Sequence, residues 1–146
     1  VAIRDKVKTL IQSADLICYP MGSFYTSLLA NLMPQGVGLA VAEADCPKVY
    51  IPNTFSDPEC TGLDLGSQVE RLLTQLLGPS YSPSDCGKVL NFLLLDEDVH
   101  RYGPPIPREF LRSRGIEVLQ TRLVPEPGPG HADPQRLADI LLSLSP

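Results

Sequence analysis

No apolar run in this chain approaches the ~20 residues that span a bilayer; stretches such as residues 92–95 are among the longest, and a membrane helix is excluded. Basic residues are outnumbered and scattered: 12 Lys and Arg stand against 17 Asp and Glu, a net charge of −5, with no cluster of Lys or Arg. A duplex nucleic-acid partner demands a basic stripe, so nucleic acid is excluded as a partner as well. Small anionic ligands are not, because backbone amides bind them without net positive charge. The four cysteines, Cys18, Cys46, Cys60 and Cys86, include no close pair of the kind zinc sites use. Cys18, inside an apolar run, reads as a buried free thiol. The basic-then-apolar pattern of a secretory leader is also missing, and a cytoplasmic protein with reduced thiols is expected. A first residue other than Met, already in an amphipathic stretch, suggests a piece of something longer.

What is present is ordinary globular composition. The 146 residues are 43% apolar and 20% charged, which predicts one domain over residues 1–146. A domain of that size buries about 68–70% of its unfolded surface and needs no disulfide or metal staple. Ile3, Val7, Leu10 and Ile11 share one face of a helix. Leu16-Ile17-Cys18-Tyr19, stopped by Pro20, reads as a buried strand, and helical spacing resumes over residues 27–33. A short helix of small apolar residues is predicted over 38–44, then a strand at Val49-Tyr50-Ile51. The stripe Val69, Leu72, Leu73, Leu76, Leu77 predicts the next helix, stopped by Gly78-Pro79. Residues 89–95 and 116–123 read as further strands, separated by a helix with Pro107 in its first turn, Phe110 and Leu111 on it, and Gly115 ending it. Asp133-Pro134 is an N-cap followed by proline at the first helical position, with Leu137, Ile140, Leu141 and Leu144 as the buried face.

Strand and helix alternating at this spacing predict α/β architecture: a predominantly parallel, Rossmann-like sheet of about four strands flanked by helices. All strand C-termini of such a sheet lie at one edge, where ligands bind. Four loops converge there: residues 20–26, 53–62, 96–105 and 125–131. In the first, Gly22 permits a close backbone turn, and Ser23, Thr26 and Ser27 add hydroxyls beside the free amides of a helix start, an arrangement suited to phosphate. A helix start capped by Ser or Thr needs no ligand, and neither a P-loop nor a spaced-glycine fingerprint is present. In the second loop, Asn53 can contact a ligand, and Asp57 and Glu59 can hold a divalent cation; an Asx-turn at Asp57-Pro58 is the plainer reading. Asp96-Glu97-Asp98 in the third loop is either a Mg²⁺ collector or a solvated run. His100 is a candidate base and His131 a candidate contact.

The block Gly22-Ser23-Phe24-Tyr25-Thr26-Ser27-Leu28-Leu29-Ala30-Asn31-Leu32, after Ala14-Asp15-Leu16-Ile17, resembles the CofD-like family. So do Val37-Gly38, Lys48-Val49-Tyr50-Ile51-Pro52-Asn53, the acidic-Pro-Glu-x-x-Gly stretch ending at Gly62, and His131-Ala132-Asp133-Pro134 with Leu137-Ala138. That family groups 2-phospho-L-lactate transferases with gluconeogenesis-factor proteins that bind nucleotide-sugars. Family members of the second kind carry Gly-Pro-Gly-Ser where this chain has Pro20-Met21-Gly22-Ser23. The family's N-terminal glycine-rich loop is missing, so the resemblance implies the C-terminal portion of a longer protein. It further implies a nucleotide-linked small molecule of GDP or UDP-sugar type as ligand. Phosphate and ligand contacts would come from Gly22, Ser23, Tyr25, Thr26, Ser27, Asn53 and Thr54, with Asp57 as the catalytic residue, a metal or acceptor-hydroxyl partner. Mg²⁺ and a homo-oligomer are expected; no organic cofactor is. Two activities fit: transfer of a phosphate-linked group from a guanosine-diphosphate-type donor to an acceptor hydroxyl, or nucleotide-sugar binding without turnover. A dimerisation scaffold is the third reading.

Overall fold

The computed structural model describes residues 1–103, 105–125 and 130–146. Its first helix, α1 (Asp5–Gln12), leads into β1 (Ile17–Tyr19). A π-helical segment, Phe24–Leu29, runs directly into a single α-turn, α2 (Ala30–Leu32), and α3 (Val37–Glu43) follows. Then come β2 (Lys48–Tyr50), α4 (Leu65–Leu77), β3 (Phe92–Asp96), α5 (Arg108–Ser113), β4 (Glu117–Thr121) and α6 (Pro134–Leu144). Short 3₁₀ turns at Pro58–Cys60, Pro83–Lys88 and Val99–Tyr102 complete it.

The four strands form one sheet in the order β1-β2-β3-β4, every pair parallel. The expected α/β architecture is therefore present. Because the side chains of a strand alternate, one sequence feeds two cores. Leu93 and Leu95 face one side with Tyr19 and Tyr50, under Val69, Leu72 and Leu73 of α4 and Val37 and Val41 of α3. Leu94 faces the other with Val49, Ile51 and Leu123, under the half-buried stripe Leu137, Ile140, Leu141 and Leu144 of α6. Gly38 explains how closely α3 approaches α4: a Cβ built there would lie 2.0 Å from the Leu76 carbonyl oxygen. Asp133 and Asp64 cap α6 and α4, accepting from the amides of Arg136 and Ser67, which is worth roughly 1 kcal/mol per helix.

Two boundaries and one burial pattern differ from expectation as follows. Val89 and Leu90 are buried but lie between the 3₁₀ turn Pro83–Lys88 and β3, so burial without pairing mimicked a strand. The helix expected over 27–33 begins at Phe24 and opens in π form, with the Leu28 amide donating to the Ser23 carbonyl. Phe24 and Leu28, not the hydroxyls, are its buried face. In α1, Val7 and Leu10 of the expected stripe are exposed, at 40% and 61%.

Candidate functional site

Loops after β1, β2 and β3 meet above the C-terminal edge of the sheet. Strand order does not reverse within these four strands, so the crevice is not formed at a topological switch point. It is formed because the β2 loop folds over the β1 loop. Asn53, just beyond β2, accepts from the Gly22 amide at 2.9 Å and donates to the Gly22 carbonyl at 2.8 Å. That reciprocal pair uses both ends of one carboxamide and leaves Gly22 at φ +145°, a backbone state few L side chains adopt. Beside it lies a cleft of about 340 Å³, walled in part by Gly22, Asn53, Asp57, Gln68, Arg101 and Tyr102.

Asp57 begins the 3₁₀ turn Pro58–Cys60 as its N-cap, accepting from the Glu59 amide; the Asx-turn is real. Its other oxygen accepts from the Phe24 amide at 3.1 Å, from Asn53 Nδ2 at 3.3 Å and from the Cys60 thiol. Glu59 reaches the same helix start. Its Oε2 accepts from the Tyr25 and Thr26 amides, and its Oε1 from the Thr26 hydroxyl. The Thr26 hydroxyl and then its amide hold the Glu59 carboxyl below the usual carboxylate range. The amides at this helix start thus already bind an oxyanion, and it is the protein's own. Burial and the neighbouring Asp57 charge push the Cys60 thiol up to about 11, so it is no nucleophile near neutrality.

Of the residues singled out in the sequence, Gly22, Asn53 and Asp57 share the cleft wall. Tyr25 and Thr26 are exposed and tied to Glu59, and Ser23 and Ser27 are exposed on the same turn. Thr54 does not line the cleft: it is 1% exposed, with its hydroxyl donating to the Gly130 carbonyl. His131 packs edge-on against Phe55, ring centroids 4.6 Å apart; the rest of that fourth loop, residues 126–129, lies outside the described residues, as does residue 104 of the third. His100 is exposed in the 3₁₀ turn Val99–Tyr102 and does not border the cleft.

The acidic run is dispersed by strand alternation. Asp96, 2% exposed, turns inward and accepts from the amides of Leu123, Val124 and Asp98. Burial alone would push its carboxyl up, but those amides and the Arg101 charge outweigh burial and hold it below the ordinary range. Glu97 points out to Arg122, and Asp98 caps the next turn through the His100 amide. Among the described residues no three of His, Cys, Asp and Glu gather as a metal-ligand set. Asp57 and Glu59 have lone pairs already engaged by N–H and O–H donors, so these residues do not fit a resident Mg²⁺.

Three of these cleft residues escaped sequence reasoning, Gln68, Arg101 and Tyr102. Arg101 closes a run of charged residues that reads as solvated, and nothing local reveals that its side chain is only 7% exposed.

A twisted parallel sheet with helices on both faces and a polar cleft over its C-terminal edge places the chain among Rossmann-like α/β proteins. The family model described as 2-phospho-L-lactate transferase CofD matches residues 2–117, and the chain belongs to the CofD family. The gluconeogenesis factor of Bacillus subtilis is 31% identical over 126 residues, 79% of this chain and 38% of that protein. The gluconeogenesis factor of Listeria monocytogenes is 27% identical over 140 residues, 93% of this chain and 43% of that protein. A crystal structure of a UPF0052-family protein from Bacillus halodurans superposes with a TM-score of 0.74 at 18% identity, over 97% of this chain and 47% of its own. The chain therefore spans less than half the length of each of these relatives. No helix among the described residues is long and apolar enough to cross a membrane.

Proposed function

We propose that this chain carries the phosphate-binding cleft of a CofD-like protein and takes a nucleotide-linked small molecule there. The observation that carries this reading is the convergence of the first three post-strand loops on one cleft of about 340 Å³, pinned by the Gly22–Asn53 pair. The phosphate would lie against Gly22, the Ser23 hydroxyl and the Asn53 carboxamide. Tyr25, Thr26 and Ser27 would shape the turn behind it, and Thr54 would fix the loop from below. In the transferase reading, the acceptor hydroxyl oxygen attacks the phosphorus of the group carried by a guanosine-diphosphate-type donor, the bridging P–O bond breaks, and guanosine monophosphate leaves. Asp57 receives the hydroxyl proton, and the rest of the site works by positioning and charge neutralisation. Any Mg²⁺ would arrive with the diphosphate, whose oxygens supply the ligands that the protein does not.

The competing reading is a nucleotide-sugar binder without turnover. It is favoured by the saturation of Asp57, whose two oxygens together accept from four donors and leave few lone pairs to take up a substrate proton. Calorimetry with GDP and UDP-glucose tests the shared part: Ser23→Ala and Asn53→Ala should each weaken binding by about tenfold, the worth of a hydrogen bond to a charged group. Unchanged affinity in both variants removes the first loop from the site. Incubation of the full-length protein with a guanosine-diphosphate-linked donor, Mg²⁺ and an alcohol acceptor separates the two, because only the transferase forms product.

A further inference from the structure

Arg101 lies in the wall of the cleft with its side chain 93% buried, given its 7% exposure. Its Nε is shielded from solvent and has no hydrogen-bond acceptor. Asp96 Oδ1 stands 3.3 Å from it and Asp98 Oδ2 3.7 Å, near enough for charge but not aligned as acceptors. A guanidinium carries five N–H donors in a planar fork. Leaving one of those N–H groups buried without an acceptor is costly, because its lost hydration is not replaced. Asp96 cannot turn to meet it, since its two oxygens are already held by the amides of Leu123, Val124 and Asp98.

Tyr102 adds a second donor. Its hydroxyl accepts from the Asp96 amide at 2.6 Å, and among the described residues no acceptor takes the hydroxyl's own proton. Burial lifts that phenol to about 12, so it stays protonated near neutrality. Both residues sit on the turn Val99–Tyr102, capped by Asp98, and so are pre-positioned rather than free to swing. Among the described residues, the only charged residue bordering the cleft apart from Arg101 is Asp57, whose charge is compensated by the amides of Phe24 and Glu59 and by Asn53.

We infer that Arg101, with the Tyr102 hydroxyl beside it, is the recognition element for the anionic group of the cleft's ligand. The inference deepens the reading above and rests on the same cleft. It adds the β3 loop as the charged contact, because Glu59 already fills the helix-start amides of Tyr25 and Thr26. Arg101 and Tyr102 bind the anionic group from one side of the cleft, and Gly22 and Asn53 border it from the other. A phosphoryl and a carboxylate group share this chemistry, and the choice of probes distinguishes them.

The test is calorimetry on the full-length protein with GDP, guanosine, inorganic pyrophosphate and malonate, in wild type, Arg101→Gln, Arg101→Lys and Tyr102→Phe, each with a thermal melt. Expected are a tenfold or greater loss of GDP and pyrophosphate affinity in Arg101→Gln, a smaller loss in Arg101→Lys, about threefold in Tyr102→Phe, and unchanged guanosine affinity. Malonate binding lost alongside pyrophosphate makes the element a general oxyanion reader; pyrophosphate alone makes it a phosphate reader, and either supports the inference. A purely structural Arg101 would lower the melting temperature and leave the ratio of GDP to guanosine affinity unchanged, which overturns it. Pyrophosphate bound by wild type and lost in the variants, with no nucleotide bound, supports Arg101 while removing the nucleotide reading. Wild type binding none of the anions overturns both. Should Arg101→Gln fail to fold, the Lys and Phe variants decide by the same ratio.

Discussion

Glu59 and Thr26, 33 positions apart, make a two-point tie between the β1 and β2 loops: the Thr26 hydroxyl donates to Glu59 Oε1 at 2.7 Å while the Thr26 amide donates to Oε2 at 3.1 Å. A carboxylate there suits a helix start, where free amides favour negative charge. The tie is also a titratable one. Because the folded protein holds Glu59 below the ordinary carboxylate range, its contribution is fully present above the unfolded value of about 4.3 and is lost as pH falls through the lower folded value. Melting curves from pH 7 to pH 2.5 should show wild type above Glu59→Gln at neutral pH and the two converging in acid. A constant gap across that range would show that the charge is not what matters.

Much of the fold was legible because apolar runs and helix signals coincide with the elements they predict. Leu16 to Tyr19 holds β1, and the Asp133-Pro134 start of α6 falls where capping chemistry puts it. Two of the errors share one cause, which is burial by distant contacts. Val89 and Leu90 are apolar because they sit in the core, not because they pair. Phe24 begins its helix early because its ring inserts beside Tyr50, 26 residues on. The site was less legible still. The hydroxyls and Gly22 mark the right turn, but which anion fills it depends on Glu59, and the burial of Arg101 depends on Asp96 and the β3 loop.

Gly38→Ala should be among the most damaging single-methyl additions in the chain. The added carbon would meet the Leu76 carbonyl oxygen at 2.0 Å, against backbone that cannot rotate away. Separating α3 from α4 disturbs Val37, Val41, Val69, Leu72 and Leu73 together. Overpacking of this kind costs about 1–3 kcal/mol and more where backbone must move. Urea denaturation should place the variant at least about 3 kcal/mol below wild type; a loss under ~1 kcal/mol would mean the helices are not in such contact.

Thr54→Val separates a structural threonine from a ligand contact. The hydroxyl is buried and donates to the Gly130 carbonyl at 3.0 Å, joining the β2 loop to the segment that leads into α6. Valine keeps the shape and leaves that carbonyl without its donor, a loss of about 1–2 kcal/mol. Calorimetry should find GDP affinity within about twofold of wild type, while the urea midpoint falls. Affinity reduced tenfold with unchanged stability would return Thr54 to the cleft.

Asp96→Asn tests the clamp beneath Arg101. The wild-type carboxylate accepts from three amides and stands 3.3 Å from a guanidinium that has no other buried counter-charge. An asparagine keeps one acceptor oxygen and turns an NH₂ group towards donors, so at least one amide loses its partner and Arg101 keeps only the half-exposed Asp98 carboxylate, 3.7 Å away, as counter-charge. Breaking such a pair from one side costs about 3–5 kcal/mol. Since the folded protein holds the Asp96 carboxyl below its ordinary value, wild type keeps this advantage above about pH 4 and loses it as pH falls further. Denaturation at pH 7 should therefore show a deficit of about 3–5 kcal/mol that narrows in acid. Combining Asp96→Asn with Arg101→Met removes both charges and should recover part of the loss. If the double variant is no more stable than Asp96→Asn alone, the amides of Leu123 and Val124, rather than Arg101, are what the carboxylate chiefly serves.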